Sequence, residues 1–133
     1  MAKLRHLAMV VDDIEKTASF YQQAFDMRRV RQSDTAIGLT DGTVSLVIIS
    51  PANINMKGET RRGLHHIGFL IGDEMEKIAA QVEAAGATYH GEILGSGRGP
   101  MTERKYLDPN GVMFDITTPV HARETWRIPV EPA

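Results

Sequence analysis

The chain has no cysteine, so disulfides, thiolate metal ligands and thiol nucleophiles are all excluded, and nothing marks a redox compartment. It has little charge imbalance. Fifteen Lys and Arg against seventeen Asp and Glu leave a formal net charge of -2 and a pI near 6.2, which supplies no electrostatic pull toward nucleic acid or an acidic membrane surface. Long apolar runs are missing, so no segment reads as a bilayer span. The first residues also lack the basic start and small-residue cleavage site of a secretory signal. The expectation is a cytoplasmic protein whose partners are a small molecule and another copy of itself.

Within those limits the 133 residues suffice for one core, or for two half-size units that bury their sheets against each other. The second form is favoured by an internal repeat. Leu4-Arg5-His6-Leu7-Ala8-Met9-Val10-Val11 returns sixty residues later as Leu64-His65-His66-Ile67-Gly68-Phe69-Leu70-Ile71, with His6 on His66, Val10 on Leu70, Asp13 on Asp73 and Ala24 on Ala84. Each copy alternates as a strand covered on both faces. A capping signal follows each: Asp12 or Asp13 with Glu15, and Asp73 with Glu76. Helical stripes come next, Ile14, Thr17, Ala18, Tyr21, Ala24 and Phe25 in one copy and Met75, Ile78, Ala79, Val82 and Ala85 in the other, the latter closed by Gly86.

The rest of each unit is β-rich. Arg28 to Gln32 begins a second strand whose three arginines read as a charged edge that discourages further pairing, anion binding being the other reading. Asp41-Gly42, between Thr35–Thr40 and Thr43–Ile49, predicts a hairpin with a type I′ turn, and Asp108-Pro109-Asn110-Gly111 predicts the matching turn before Val112–Thr118. The prediction is an α+β protein of two βαβββ modules, residues 1–50 and 63–119, joined by a linker at 51–62 and followed by a tail at 120–133. Gly95 to Gly99, with Arg98, inserts a loop that the first module lacks and reads as a lid. Trp126 is expected to lie over a surface or a partner chain.

Strand alternation then decides which side chains meet. With His6 on the concave face go Ala8 and Val10; with His66 go Gly68 and Leu70, the small residues leaving room for something. Counting back from the turns makes Asp115, between Phe114 and Ile116, the counterpart of Leu46. A carboxylate in a core-type strand demands a cation. His6, His66 and Asp115 therefore read as a 2-His-1-carboxylate metal set, with open positions because Leu46 cannot ligate. Lys105 is the candidate catalytic residue, an ammonium on the neighbouring strand that could bind an anionic substrate oxygen or move protons. His65 is expected to face the helix side, and His90 and His121 the surface. Val44, Ile48, Met113, the linker and the glycine loop are expected to shape the substrate site.

These residues resemble the vicinal oxygen chelate superfamily, which groups glyoxalase I, methylmalonyl-CoA epimerase, extradiol dioxygenases and the fosfomycin and bleomycin resistance proteins. Leu4-Arg5-His6 with Asp13 and Phe20-Tyr21, then Gly63-Leu64-His65-His66, then Asp108-Pro109-Asn110-Gly111 leading to Phe114-Asp115-Ile116, carry the resemblance up to about Pro119. It implies a cupped eight-stranded mixed sheet around a divalent metal, usually in a homodimer. Glyoxalase I and the epimerases would place Glu or Gln where Leu46 stands, and the last ligand is usually Glu where this chain has Asp115. The surviving His6, His66 and Asp115 are similar to the three-ligand set of the extradiol dioxygenases, although Lys105 stands where those enzymes tend to carry an active-site Tyr. Bleomycin-binding relatives lack the metal histidines. The resemblance thus implies an enzyme acting on a small substrate with adjacent oxygens, an extradiol-type dioxygenase ahead of a glyoxalase-type lyase or isomerase, with a non-catalytic binding or resistance module as the third alternative. Fe2+ or Mn2+ is the favoured ion, with Zn2+ or Ni2+ as alternatives.

Overall fold

A computed structural model describes residues 2–56, 58–93 and 103–130. The glycine loop at 95–99 lies outside the described residues. The element order is β1 (Lys3–Val10), α1 (Ile14–Phe25), β2 (Arg28–Gln32), β3 (Ala36–Thr40), β4 (Ser45–Ile49), a 3-10 turn (Ile54–Met56), β5 (Gly63–Leu70), α2 (Met75–Ala84), β6 (Thr88–Ile93), β7 (Glu103–Leu107), β8 (Met113–Thr117) and α3 (Pro119–His121), which runs into a π-helical turn (Ala122–Trp126). The eight strands form one open mixed sheet in the order β2-β3-β4-β1-β5-β8-β7-β6.

The repeat sits at the centre of that sheet. β1 and β5 pair antiparallel with each other, and each pairs parallel with the last strand of its own module, β4 or β8. Both strands carry the same alternation of burial, so the sixty-residue offset is also an offset in environment. On the outer face α1 covers Ile37, Leu39, Leu46 and Ile48, while α2 covers Ile71, Tyr106 and Ile116. The inner face gathers Ala8, Val10, Ala36, Val47, Ile49 and Met56 into the wall of the cup.

Local chemistry explains the element ends and corrects several expectations. Asp13 caps α1 by accepting from the Lys16 N–H at 2.9 Å, and Asp12 pairs instead with Arg62. The N-cap of α2 is Glu74 in place of Asp73, it makes no side-chain cap hydrogen bond, and Glu76 pairs with Arg104. Phe25, expected under α1, is 68% exposed. The β3–β4 connection is a four-residue loop, since Thr40 pairs with Ser45 and only Gly42 has a positive φ (97°), so it is not the two-residue type I′ turn. Asp41 Oδ1 closes that loop by accepting from the Thr43 and Val44 N–H groups, both at 2.8 Å. The β7–β8 connection is one residue longer, Leu107 pairing with Met113.

That extra residue changes which side chains are equivalent. Register aligns Ala8 with Val47 and, in the second module, Gly68 with Asp115, so the counterpart of Asp115 is Val47. Leu46 and Ile48 face α1, and Val47 and Ile49 line the cup in their stead. Gly68 leaves no room for a ligand, because a Cβ there would come within 2.9 Å of the His6 Cβ and Cδ2. Its missing side chain is filled by the His6 ring. Gly68→Ala should accordingly destabilise the protein by about 1–3 kcal/mol in denaturant unfolding. Gly72→Ala, with nothing within 4 Å of its Cβ position, should stay within about 0.5 kcal/mol of the parent.

Candidate metal centre

Three buried groups converge where the two modules meet. His6 Nε2 lies 3.3 Å from His66 Nε2, Asp115 Oδ2 lies 3.1 Å from His66 Nε2, and the third edge, His6 Nε2 to Asp115 Oδ2, is 3.9 Å. His6, His66 and Asp115 are 4%, 5% and 1% exposed. A triangle of those edges lets one point sit about 2.0–2.2 Å from all three atoms, the range of metal–nitrogen and metal–oxygen bonds. Asp115 Oδ2 is buried without a hydrogen-bond partner, while Oδ1 accepts from Lys105 Nζ at 2.7 Å. The donor set fits a divalent ion.

The outer contacts fix which ring nitrogens face that point. His65 joins the site by way of a β-bulge: Ala8 pairs with His66 and Met9 with Leu64, so His65 is the extra residue and turns to the side of His66, contrary to the expected helix-facing orientation. Its Nε2 lies 3.1 Å from Glu59 Oε2, and its Nδ1 lies 2.7 Å from His66 Nδ1. Hydrogen bonds from Arg61 hold Glu59 down to about 2, so it is an anion that accepts the Nε2–H of His65. The Nδ1 of His65 is then an acceptor, His66 donates to it from Nδ1, and the Nε2 lone pair of His66 is left toward Asp115. His6 Nδ1 is 3.1 Å from Ser45 Oγ, a hydroxyl that can accept an Nδ1–H and so leave the His6 Nε2 lone pair on the triangle. Three lone pairs so placed could hold one divalent cation between them.

Charges around the triangle agree. Burial drives the His6 imidazole down to about 3, with Asp115 opposing and His66 and Lys105 assisting, so the ring is a neutral donor at ordinary pH. Burial alone would raise Asp115, but His66 beside its Oδ2 and the charge of Lys105 hold it well below the usual carboxylate range. Trp126, 2% exposed, stacks on the His6 ring at 4.5 Å between centroids and 10° between planes. It therefore closes the cup of its own chain, packed with Leu70, Ala122 and Ile128, and does not lie over a surface.

A cleft of about 200 Å³ opens from the triangle, and Lys105, Glu103, His121 and Arg31 lie along it. Lys105 stands where expected, paired across the hairpin with Asp115. Glu103 accepts from Thr117 Oγ1 at 3.1 Å; burial and the charge of Asp115 push its carboxyl up to about 8. His121 was expected at the surface, but it is 6% exposed and its Nε2 is 3.5 Å from Glu103 Oε1, because the tail folds inward after Pro119. His90 is exposed as expected. Ser45, Glu59, His121 and Trp126 had no periodic signal: two act through a register or bulge, and the others come from the irregular tail.

The family model for the Glyoxalase/Bleomycin resistance protein/Dioxygenase superfamily matches residues 3–116, and the chain belongs to that superfamily. Comparison with curated proteins finds no match. Among solved structures, a hypothetical protein from Bacillus halodurans C-125 aligns at TM-score 0.68 with 18% identity, covering 99% of this chain and 97% of that one. Methylmalonyl-CoA epimerase of Streptomyces coelicolor, in complex with 2-nitronate-propionyl-CoA, aligns at TM-score 0.63 with 19% identity, covering 87% and 96%. A Legionella pneumophila protein called NAD-dependent benzaldehyde dehydrogenase aligns at 0.61 with 17% identity over 85% and 96%. At these identities the likeness is one of fold, and the chemistry must come from the site.

Contacts around the triangle make two outcomes measurable. His65→Ala leaves the His66 Nδ1–H without its acceptor and should weaken divalent-metal binding by about tenfold to a hundredfold, measured through the fluorescence of Trp126, the only tryptophan. The second concerns acid stability. Burial, with Arg31 and Lys105 assisting and Asp115 and Glu124 opposing, lowers His121 to about 4. Below the ordinary value near 6.5 the unfolded chain binds a proton that the folded chain refuses, so this contribution is intact above 6.5 and is lost as pH falls toward 4. Metal-free His121→Gln should lack that part of the decline, on the order of 3 kcal/mol between pH 7 and 4 in urea unfolding.

Proposed function

We propose that the protein is a metal-dependent enzyme acting on a small substrate with two neighbouring oxygens, and that within the superfamily it is an extradiol-type dioxygenase. The observation that carries this reading is the three-donor triangle of His6, His66 and Asp115 beside a non-ligating Val47 at the position equivalent to Asp115. Three protein donors leave adjacent coordination positions for a bidentate substrate and a further small molecule. A divalent ion held there supplies Lewis acidity toward the two oxygens and, as Fe2+ or Mn2+, the redox chemistry that dioxygen requires. A four-ligand glyoxalase-type lyase or isomerase would need a donor that neither Leu46 nor Val47 provides, and a purely sequestering module would have no use for three donors facing one point.

The chain's own residues have definite tasks in this reading. Lys105, on the rim of the cleft and bonded to the distal oxygen of Asp115, orients that carboxylate and presents an ammonium to an anionic substrate oxygen. Glu59 and His65 keep the His66 Nε2 lone pair directed inward, and Ser45 does the same for His6. Trp126 and the apolar wall of Val47, Ile49 and Met56 exclude water from the reacting end. A homodimer belongs to the same proposal, with the exposed Leu4, Leu64, Phe20 and Phe25 supplying apolar surface for it. Among the described residues no helix is long and apolar enough to cross a membrane.

Metal analysis after anaerobic purification tests the assignment. Bound Fe2+ or Mn2+ with catechol-dependent oxygen uptake is expected, and Asp115→Ala should lose both metal and uptake. Stoichiometric Zn2+ or Ni2+ with hemithioacetal turnover and no oxygen uptake would replace the dioxygenase reading with the lyase one. Absence of any bound metal would sink both.

A further inference from the structure

The edge strand β2 presents its arginines to opposite sides. Arg29 faces α1 and is saturated there, donating to Glu15 and Gln22, and to Gln32 on its own strand. The next arginine would share that face in a regular strand. The pairing instead skips Val30, with Arg29 opposite Leu39 and Arg31 opposite Gly38, so a bulge turns Arg31 into the cup. Gly38 permits this placement, since a Cβ there would stand 3.3 Å from the Arg31 Cβ.

In the cup Arg31 lines the same cleft as His6, His66 and Asp115. It is partly buried, and among the described residues its one side-chain hydrogen bond is donated from Nη1 to the Thr125 carbonyl at 3.1 Å. No carboxylate of the described residues lies within ion-pair distance of it; Glu103 acts on it only through space, and a second guanidinium, Arg127, lies close enough to push its pKa down together with burial. Arg127 itself donates to the Val30 carbonyl at 2.9 Å, which fixes the pair at the bulge. Lys105, by contrast, is neutralised by Asp115 at 2.7 Å. The cleft is thus lined by two unlike features: the three metal-type donors, and a half-buried guanidinium that among the described residues has only a neutral hydrogen-bond partner. A planar fork of that kind is matched by a carboxylate.

We propose that Arg31 is a substrate-binding residue and that the substrate carries a carboxylate at the end remote from its two adjacent oxygens. This rests on the reading above for the oxygen pair, while the anion end stands on Arg31 itself. The class is a small dihydroxy- or hydroxyoxo-carboxylic acid, compatible with a cleft of about 200 Å³.

Calorimetric titration of the metal-loaded protein with three probes, catechol, 3,4-dihydroxybenzoate and benzoate, separates the two ends. The expected result is that 3,4-dihydroxybenzoate binds at least about tenfold tighter than catechol, that Arg31→Met abolishes this preference while leaving catechol within about twofold, and that Arg29→Met changes neither. Arg31→Lys, which keeps the charge and loses the fork, should retain part of the preference and serves if the Met variant does not fold. A parent without the preference, or a preference that survives in the Arg31 variant, overturns the proposal. If neither diol binds, the adjacent-oxygen reading fails by itself; benzoate then decides the anion end in metal-free protein, where binding weakened about tenfold by the Arg31 substitution upholds it and absent or unchanged binding overturns it.

Discussion

The structure depends on the antiparallel contact between β1 and β5. Each is the first strand of its module, and each is flanked on its other side by the last strand of that module. Side by side they form the seam of the sheet and bring His6 and His66 to 3.3 Å between Nε2 atoms. With their Nε2 lone pairs turned inward beside a carboxylate oxygen, the two rings could share one positive ion. The His6 ring is enclosed by its neighbours: Gly68 admits it by having no Cβ, Trp126 stacks over it, and Ser45 lies against its far nitrogen.

The rest of the molecule can be understood as support for that seam. The helices α1 and α2 cover only the outer face, so the inner face remains a cup. The linker between the modules supplies Glu59, whose anionic charge runs through His65 to the far side of His66. The C-terminal segment supplies His121 and Trp126 and closes one end of the cup. Pieces that carry no repeat signal thus complete a site whose donors lie on the repeated strands.

Much of this was legible in the sequence, and the reasons differ by residue. His6 and His66 were found because alternation and the sixty-residue offset are properties of the strands themselves, and Asp115 because a carboxylate between Phe114 and Ile116 conflicts with a core strand. Leu46 was misassigned because the two hairpin loops differ by one residue, and a shift of one in a strand exchanges its faces. His65 and Arg31 escaped for a related cause: a bulge adds a residue without altering composition, so the side chain it redirects cannot be inferred from period alone. His121 and Trp126 lie in a tail with no period, and only its folding into the cup gives them a role.

The central claim is that His6, His66 and Asp115 share one ion. Anomalous diffraction from crystals loaded with Fe2+ or Mn2+ tests it most directly. The account requires a single strong peak within about 2.0–2.3 Å of His6 Nε2, His66 Nε2 and Asp115 Oδ2. A peak elsewhere in the molecule, or none in fully loaded crystals, would contradict it.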